Sequence, residues 1–296
     1  MGTISAAALV SHQPGIMLSA DRRTKMNGGY DTTLVAGFGD MRRELDAADV
    51  DTLVVIDTHW FTTAFHIVAG ADRYSGVYTS DELPMMITDL PFEFEGAPQL
   101  AELVAEVGAE HGLPVVNTTS PNIGVQYPTI NVLHHLEWDK PVLRMGICQH
   151  AEPHNFLDLG SALGAAIERS DANVGILASG GMSHQFPPLD VSGQHTKNAP
   201  EYVITPEARA FDESILERWA RGDHRSVIDG YPDYAPFKPE GRLGHYLIMA
   251  GALGAHDWTA TGRQLSNYEN AFGTGQVHVW FDLDRFSTQD TDRQPA

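Results

Sequence analysis

An α/β fold, one domain built on a central mixed β-sheet flanked by helices, is predicted by three features of the 296-residue sequence. Short apolar runs of strand length alternate with longer segments of helical spacing. The strand-like runs at Ala6–Val10 and Leu53–Ile56 read as central and buried. Three runs also end in the same way, at a small or hydroxyl-bearing stretch followed by histidine: Ala6–Val10 before Ser11-His12, Leu53–Ile56 before Asp57-Thr58-His59, and Val174–Ala178 before Ser179-Gly180-Gly181-Met182-Ser183-His184. Ligands of open α/β sheets bind outside the carboxyl ends of the strands. The active site is therefore expected at that edge, with three imidazoles gathered there.

Taken in order, a first strand is expected at Ile4–Val10 and a helix at Thr32–Ala47, followed by strands at Thr52–Asp57 and His66–Ala69. The stretch Tyr74–Glu95, acidic and carrying Pro84 and Pro91, reads as an excursion over the mouth of the sheet. A helix at Ala97–His111, a strand at Val115–Asn117, a helix at Thr129–Leu136, a strand at Pro141–Ile147, a helix at Asn155–Arg169 and a strand at Val174–Ala178 continue the alternation. Gln185–Pro206 is polar and proline-containing, the composition of a mobile lid beside His184. Helices at Pro206–Arg221, where Pro206 suits a first turn, and at Leu243–Leu253 precede a last strand at Gln276–Leu283. The domain is expected to cover residues 1–285, with a polar, disordered tail over 286–296.

Composition excludes several classes. With 39 acidic and 19 basic side chains the formal net charge is -20, which opposes binding to nucleic acid or to an anionic membrane. No run of about 20 apolar residues is present, and the N-terminal stretch lacks the basic flank of a signal peptide, so a cytoplasmic location is expected. The single cysteine, Cys148, excludes an intrachain disulfide and a thiolate cluster. A metal here would be held by nitrogen and oxygen, which suits hard or borderline divalent ions.

For His12 and His59 the alternatives are a metal or catalytic role and a hydrogen-bonded loop histidine; three histidines at equivalent strand ends favour the first. Asp57, two residues before His59, points to the same side of a strand and either orients an imidazole or caps a turn. His184 follows Gly180-Gly181, which permits close approach of a ligand or makes a simple flexible turn. Two or three imidazoles need a carboxylate or solvent to complete a metal site. Glu240, between Pro239 and Gly241 and after the aromatic segment Tyr231–Phe237, lies in an irregular loop able to aim a side chain at a fixed point, whereas most other acids fall on solvated helix faces. Spacing alone leaves open which imidazoles bind metal.

Ser11-His12-Gln13-Pro14, Asp57-Thr58-His59-Trp60, the stretch Val77–Pro84 (VYTSDELP), Ala178–His184, Pro239-Glu240-Gly241 and Gly273-Thr274-Gly275-Gln276 together resemble the class III extradiol ring-cleavage dioxygenases, the protocatechuate 4,5-dioxygenase beta-subunit superfamily. The likeness runs from residue 4 to about residue 284. The DTHW and VYTSDELP stretches resemble those of the single-chain 3,4-dihydroxyphenylacetate (homoprotocatechuate) 2,3-dioxygenases. The resemblance implies that His12, His59 and Glu240 are iron(II) ligands and that His184 is the active-site histidine that does not bind metal. It further implies a small aromatic substrate, a catechol with a small side chain and specifically an arylacetate such as 3,4-dihydroxyphenylacetate, and O2 as partners, with a hydroxymuconic semialdehyde as product, and assembly into a homo-oligomer. His184, with an ordinary pKa near neutrality, suits proton transfer.

Departures and alternatives accompany the resemblance. Where related chains often carry a histidine upstream of the Tyr-Gly-Thr-like motif, this one has Asn117-Thr118-Thr119 ahead of Tyr127-Pro128-Thr129. His154 and Tyr127 are candidate substrate or supporting contacts, with a surface loop and core packing as the competing readings, and Trp60 is a candidate pocket wall. Arg22, Arg23, Lys25, Lys238 and Arg242 are near the site segments, none of them singled out as the anchor for a substrate carboxylate. The alternative activities are ring cleavage of a 2-aminophenol, a metal-dependent hydrolase in which His12, His59 and His184 all bind zinc, and a non-catalytic relative.

Overall fold

A computed structural model describes residues 1–283; the tail expected over 286–296 lies outside the described residues. Twelve strands and nine α-helices are found among the described residues. The strands are β1 (Thr3–Val10), β2 (Thr52–Thr62), β3 (His66–Ala69), β4 (Arg73–Tyr78), β5 (Leu90–Glu95), β6 (Val115–Thr118), β7 (Val142–Cys148), β8 (Asn173–Ser179), β9 (Thr261–Gln264), β10 (Glu269–Ala271), β11 (Thr274–Gln276) and β12 (Val279–Asp282). The helices are α1 (Ala20–Met26), α2 (Thr33–Ala47), α3 (Pro98–Glu110), α4 (Tyr127–Leu136), α5 (Pro153–Arg169), α6 (Pro206–Ala220), α7 (His224–Asp229), α8 (Tyr231–Tyr234) and α9 (Gly244–Ala252).

Eight strands form one mixed sheet in the order β6-β3-β7-β2-β8-β1-β12-β9. Its centre, β7-β2-β8-β1, is parallel, while β12 and β9 add antiparallel to one side. Side chains alternate between two cores, as the two-residue period of a strand requires. Val54, Ile56, Ile176 and Ala178 pack beneath α3, α5, α6 and α9, and Leu53, Val55 and Leu177 pack against α2 and α4. Helices α5 and α9 cross closely, since a Cβ on Gly160 would meet Ile248 O and Gly251 Cα.

Register explains why the strand ends converge. Val10 on β1 and Asp57 on β2 both pair with Ser179 on β8, so the three strands reach one line across the sheet together. His12 and His59 lie two residues past that line. Beyond Asp57, β2 shifts register against β7 before Phe61 pairs with Ile147, a bulge that carries Thr58 and His59.

Two expectations change in detail. Tyr74–Glu95 is a β4–β5 antiparallel hairpin with a long connecting loop. Its buried aromatic residues, Tyr74 and Phe94, explain the pairing. The single strand expected at Gln276–Leu283 is divided: Thr274–Gln276 pairs with β10, and Val279–Asp282 joins the large sheet. The division falls at His278, whose N–H donates to Ser266 Oγ instead of a ladder carbonyl.

Candidate metal centre

The buried Glu240 is the meeting point of the site. It opens a short turn, Glu240–Leu243, whose residues Gly241, Arg242 and Leu243 all have positive φ. At Gly241 a Cβ would also strike Thr58 Cγ2 at 2.7 Å, so glycine is needed for the turn to approach β2. The carboxylate Oε1 lies 3.1 Å from His12 Nε2 and 3.4 Å from His59 Nε2. Thr58 Oγ1 donates to Oε1, and Gly181 N–H donates to Oε2. One nitrogen from each of the two histidines and a Glu240 oxygen lie within 4.8 Å of one another, a separation that one metal ion can span.

Each imidazole is held from its far side. His12 is buried, with Nδ1 2.9 Å from Ser179 Oγ, and its main-chain carbonyl accepts from Asn131 Nδ2. His59 Nδ1 faces Glu82 Oε1 at 3.3 Å, which leaves Nε2 toward Glu240. Such an outward carboxylate fixes the tautomer of a metal-binding histidine and strengthens it as a ligand. Burial works against protonating His59, yet the Glu240 and Glu82 carboxylates outweigh it and raise the imidazolium to about 10. Burial likewise opposes ionising Glu240, but the facing His12 and the His59 ring beside it hold its carboxyl well below the usual range.

His184 Nδ1 stands 3.5 Å from Glu240 Oε2 and is buried without a hydrogen-bond partner. Burial lowers its pKa, so the neutral imidazole is favoured. The ring packs edge-on against Phe186. Tyr127, at the start of α4, brings its hydroxyl 2.9 Å from His59 Nε2. Burial pushes that phenol far above its ordinary value, keeping it protonated. These side chains border a cavity of about 470 Å³. The β4–β5 loop contributes Glu82, Leu83 and Met86, and the segment after His184 contributes Phe186, Pro187, Leu189 and Ser192.

The structure thus brings together His12, His59, Glu240, His184 and Tyr127. Asp57 is adjacent but bonds to main chain and to Thr129: His59 N–H donates to Oδ1, and the Thr129 N–H and hydroxyl donate to Oδ2. It fixes the backbone of the bulge and the entry to α4, not an imidazole ring. His154 is not brought to the cavity; it sits exposed in the first turn of α5. Trp60 is buried beneath the Arg144 guanidinium, 5.0 Å from its ring centroid, and does not wall the cavity.

Two supporting residues, Glu82 and Asp212, carry little signal in the sequence. Glu82 lies inside the VYTSDELP stretch, but nothing in that run distinguishes it from Asp81 until the hairpin folds back. Asp212 accepts hydrogen bonds from the Ser183 N–H and hydroxyl and from the Tyr234 and Tyr268 hydroxyls. Burial pushes its carboxyl up to about 6 against the pull of these donors. A signal was present: Ala208, Asp212, Ile215 and Trp219 form the buried stripe of α6, and an acid on an apolar stripe needs partners.

Fold and site together define an α/β protein with a two-histidine, one-carboxylate cluster at the carboxyl edge of a parallel sheet, a donor set suited to a divalent metal. Residues 6–281 match the model of the catalytic LigB subunit of aromatic ring-opening dioxygenase. The chain belongs to that family, the class III extradiol dioxygenases, and is an extradiol ring-cleavage oxidoreductase. It is 29% identical over 258 residues to an Escherichia coli protein named 3,4-dihydroxyphenylacetate 2,3-dioxygenase, covering 86% of this chain and 91% of the relative. Its fold is similar to the crystal structure of an uncharacterized protein from Escherichia coli K12, with a TM-score of 0.63 and 19% identity over 94% of this chain and 100% of that one. Among the described residues no helix is long and apolar enough to cross a membrane.

Proposed function

We propose that the protein is an iron(II)-dependent extradiol dioxygenase that opens the ring of a substituted catechol with O2 to give a hydroxymuconic semialdehyde. The observation that carries this reading is the His12–His59–Glu240 cluster at the wall of a cavity that His184 also faces. The cluster fits the ion: two imidazole nitrogens and one carboxylate oxygen converge, and Ser179 and Glu82 stand behind the imidazoles. Two imidazoles and one carboxylate with positions left open are the donor set of non-haem iron(II) oxygenases. The three-histidine form of the hydrolase alternative is not supported, since the cluster includes Glu240 in place of His184.

When bound, iron(II) supplies the Lewis acidity that lowers a catechol hydroxyl pKa and the redox chemistry that O2 requires. The remaining tasks fall to side chains. His184, neutral and with Nδ1 unpartnered, accepts a catechol proton and returns it as the ring opens. Tyr127, kept protonated, holds its hydroxyl beside His59 at the wall of the cavity. Leu83, Met86 and Phe186 exclude water around the ring. The test is oxygen uptake by anaerobically iron(II)-reconstituted protein given substituted catechols and 2-aminophenol, with the yellow product read in parallel. Stoichiometric uptake and a yellow product are expected from a catechol. Hydrolysis of an ester without oxygen uptake would overturn the reading.

A further inference from the structure

The cavity is large for a bare diol and poorly equipped for an anion. Pockets of roughly 300–1,000 Å³ enclose drug-sized ligands, and this one measures about 470 Å³, so a single ring at the His12–His59–Glu240 corner leaves space beyond it. Leu83, Met86, Phe186, Pro187, Leu189 and Phe272 supply apolar walls around that space. Two of these wall residues, Phe186 and Leu189, are 67% and 91% exposed.

Among the described residues, no Lys or Arg lines the cavity. Two nearby arginines are engaged elsewhere. Arg23, in an adjoining recess, is paired with Asp31 through Nε and Nη2 and donates through Nη1 to the Ile16 and Leu18 carbonyls. Arg242 donates to the Gln149 carbonyl and to Glu152. Several neutral donors on the wall are occupied: the Ser192 and Thr274 hydroxyls bond to the Leu189 and Ala271 carbonyls, and the Gln276 amide donates to Thr274. The charged carboxylates facing the cavity are Glu82 and Glu240, the same sign as a substrate carboxylate. An anionic substituent against these walls would lose its hydration and gain no Lys or Arg partner.

We propose that the catechol this cavity takes carries an uncharged, apolar substituent, an alkyl chain or a second ring, and not a carboxylate. The inference rests on the ring-cleavage reading of the site and names its substrate class.

The test pairs two ligands of similar length, 4-ethylcatechol and 3,4-dihydroxyphenylacetate. Each is titrated anaerobically into the iron(II)-reconstituted protein by calorimetry, and oxygen uptake is then measured separately. The ethyl compound is expected to bind at least about tenfold more tightly, and Leu189→Arg, a change at an exposed position, is expected to narrow or reverse that ratio. Equal or tighter binding of the arylacetate by the unaltered protein would overturn the proposal and leave ring cleavage standing. The expected binding order without oxygen uptake would support the pocket preference and defeat the ring-cleavage reading. Failure of both diols to bind would overturn both.

Discussion

Glu82 Oε1 lies 3.3 Å from His59 Nδ1, so the loop joining β4 to β5 reaches across the sheet edge to support a histidine on β2. The contact acts on the nitrogen that faces away from Glu240, and it therefore sets the tautomer that leaves Nε2 free to bind metal. Replacing Glu82 with Gln or Ala should weaken metal affinity by roughly tenfold to a hundredfold while leaving the fold intact. Competition with a chelator of known affinity measures it. Unchanged affinity in both variants would show that Glu82 is only a rim charge.

The proposed ligands and the proposed proton carrier should separate cleanly by metal content. His12→Ala, His59→Ala and Glu240→Ala are expected to lose iron and activity together. His184→Phe should retain iron and lower kcat by about 10²- to 10⁴-fold, the usual contribution of a positioned acid–base group. Metal analysis beside steady-state rates decides it. Loss of iron from His184→Phe as complete as from His12→Ala would favour a three-imidazole centre.

His278 makes stability depend on pH at the root of the His12 strand. Its Nδ1 accepts from Ser11 N–H at 3.1 Å, and its Nε2 donates to the Leu34 carbonyl at 3.0 Å, so a proton added at Nδ1 would oppose an existing N–H. Burial pushes its pKa down to about 3. Between its ordinary value near 6.5 and about 3, the unfolded chain binds the proton and the folded one does not. This contribution is complete above pH 6.5 and shrinks as pH falls, by roughly 2 kcal/mol at pH 5. Urea unfolding at pH 7 and pH 5 should show a smaller difference for His278→Gln than for the unaltered protein. Parallel losses in the two proteins would assign the acid sensitivity to other groups.

What the sequence reveals about this site follows from how local each signal is. His12 and His59 are legible because buried parallel strands announce themselves by composition, and their ends fall on one line once Val10, Asp57 and Ser179 are in register. Glu240 is legible as an acid in an irregular loop, although only the positive-φ turn at Gly241 shows how it reaches β2. Glu82 is not legible, because its partner lies 23 positions upstream and the hairpin that delivers it depends on packing of Tyr74 and Phe94 against the sheet. The cavity walls are equally hidden: Phe186 and Leu189 read as exposed loop residues, and their common direction is a property of the folded segment.

Asp212 offers the sharpest test of how the scaffold serves the chemistry. Its carboxylate fastens Ser183, and the strip around Ser183 carries both active-site elements: Glu240 N–H donates to the Met182 carbonyl, His184 N–H to the Phe237 carbonyl, and Gly275 N–H to the Ser183 carbonyl. The two elements differ in their other restraints. The Glu240 side chain is also held by Thr58 and Gly181, whereas His184 Nδ1 has no hydrogen bond of its own and relies on its backbone. Asp212→Asn keeps the shape but removes acceptor capacity toward two tyrosines and a serine, a loss of about 1–3 kcal/mol in stability. Because misplacement of a proton carrier by an ångström costs up to about a hundredfold, kcat should fall roughly ten- to a hundredfold while iron content and catechol affinity stay near those of the unaltered protein. Iron loss in step with activity would mean that Asp212 supports the metal cluster as a whole; normal kcat at reduced stability would make it a packing residue with no bearing on proton transfer.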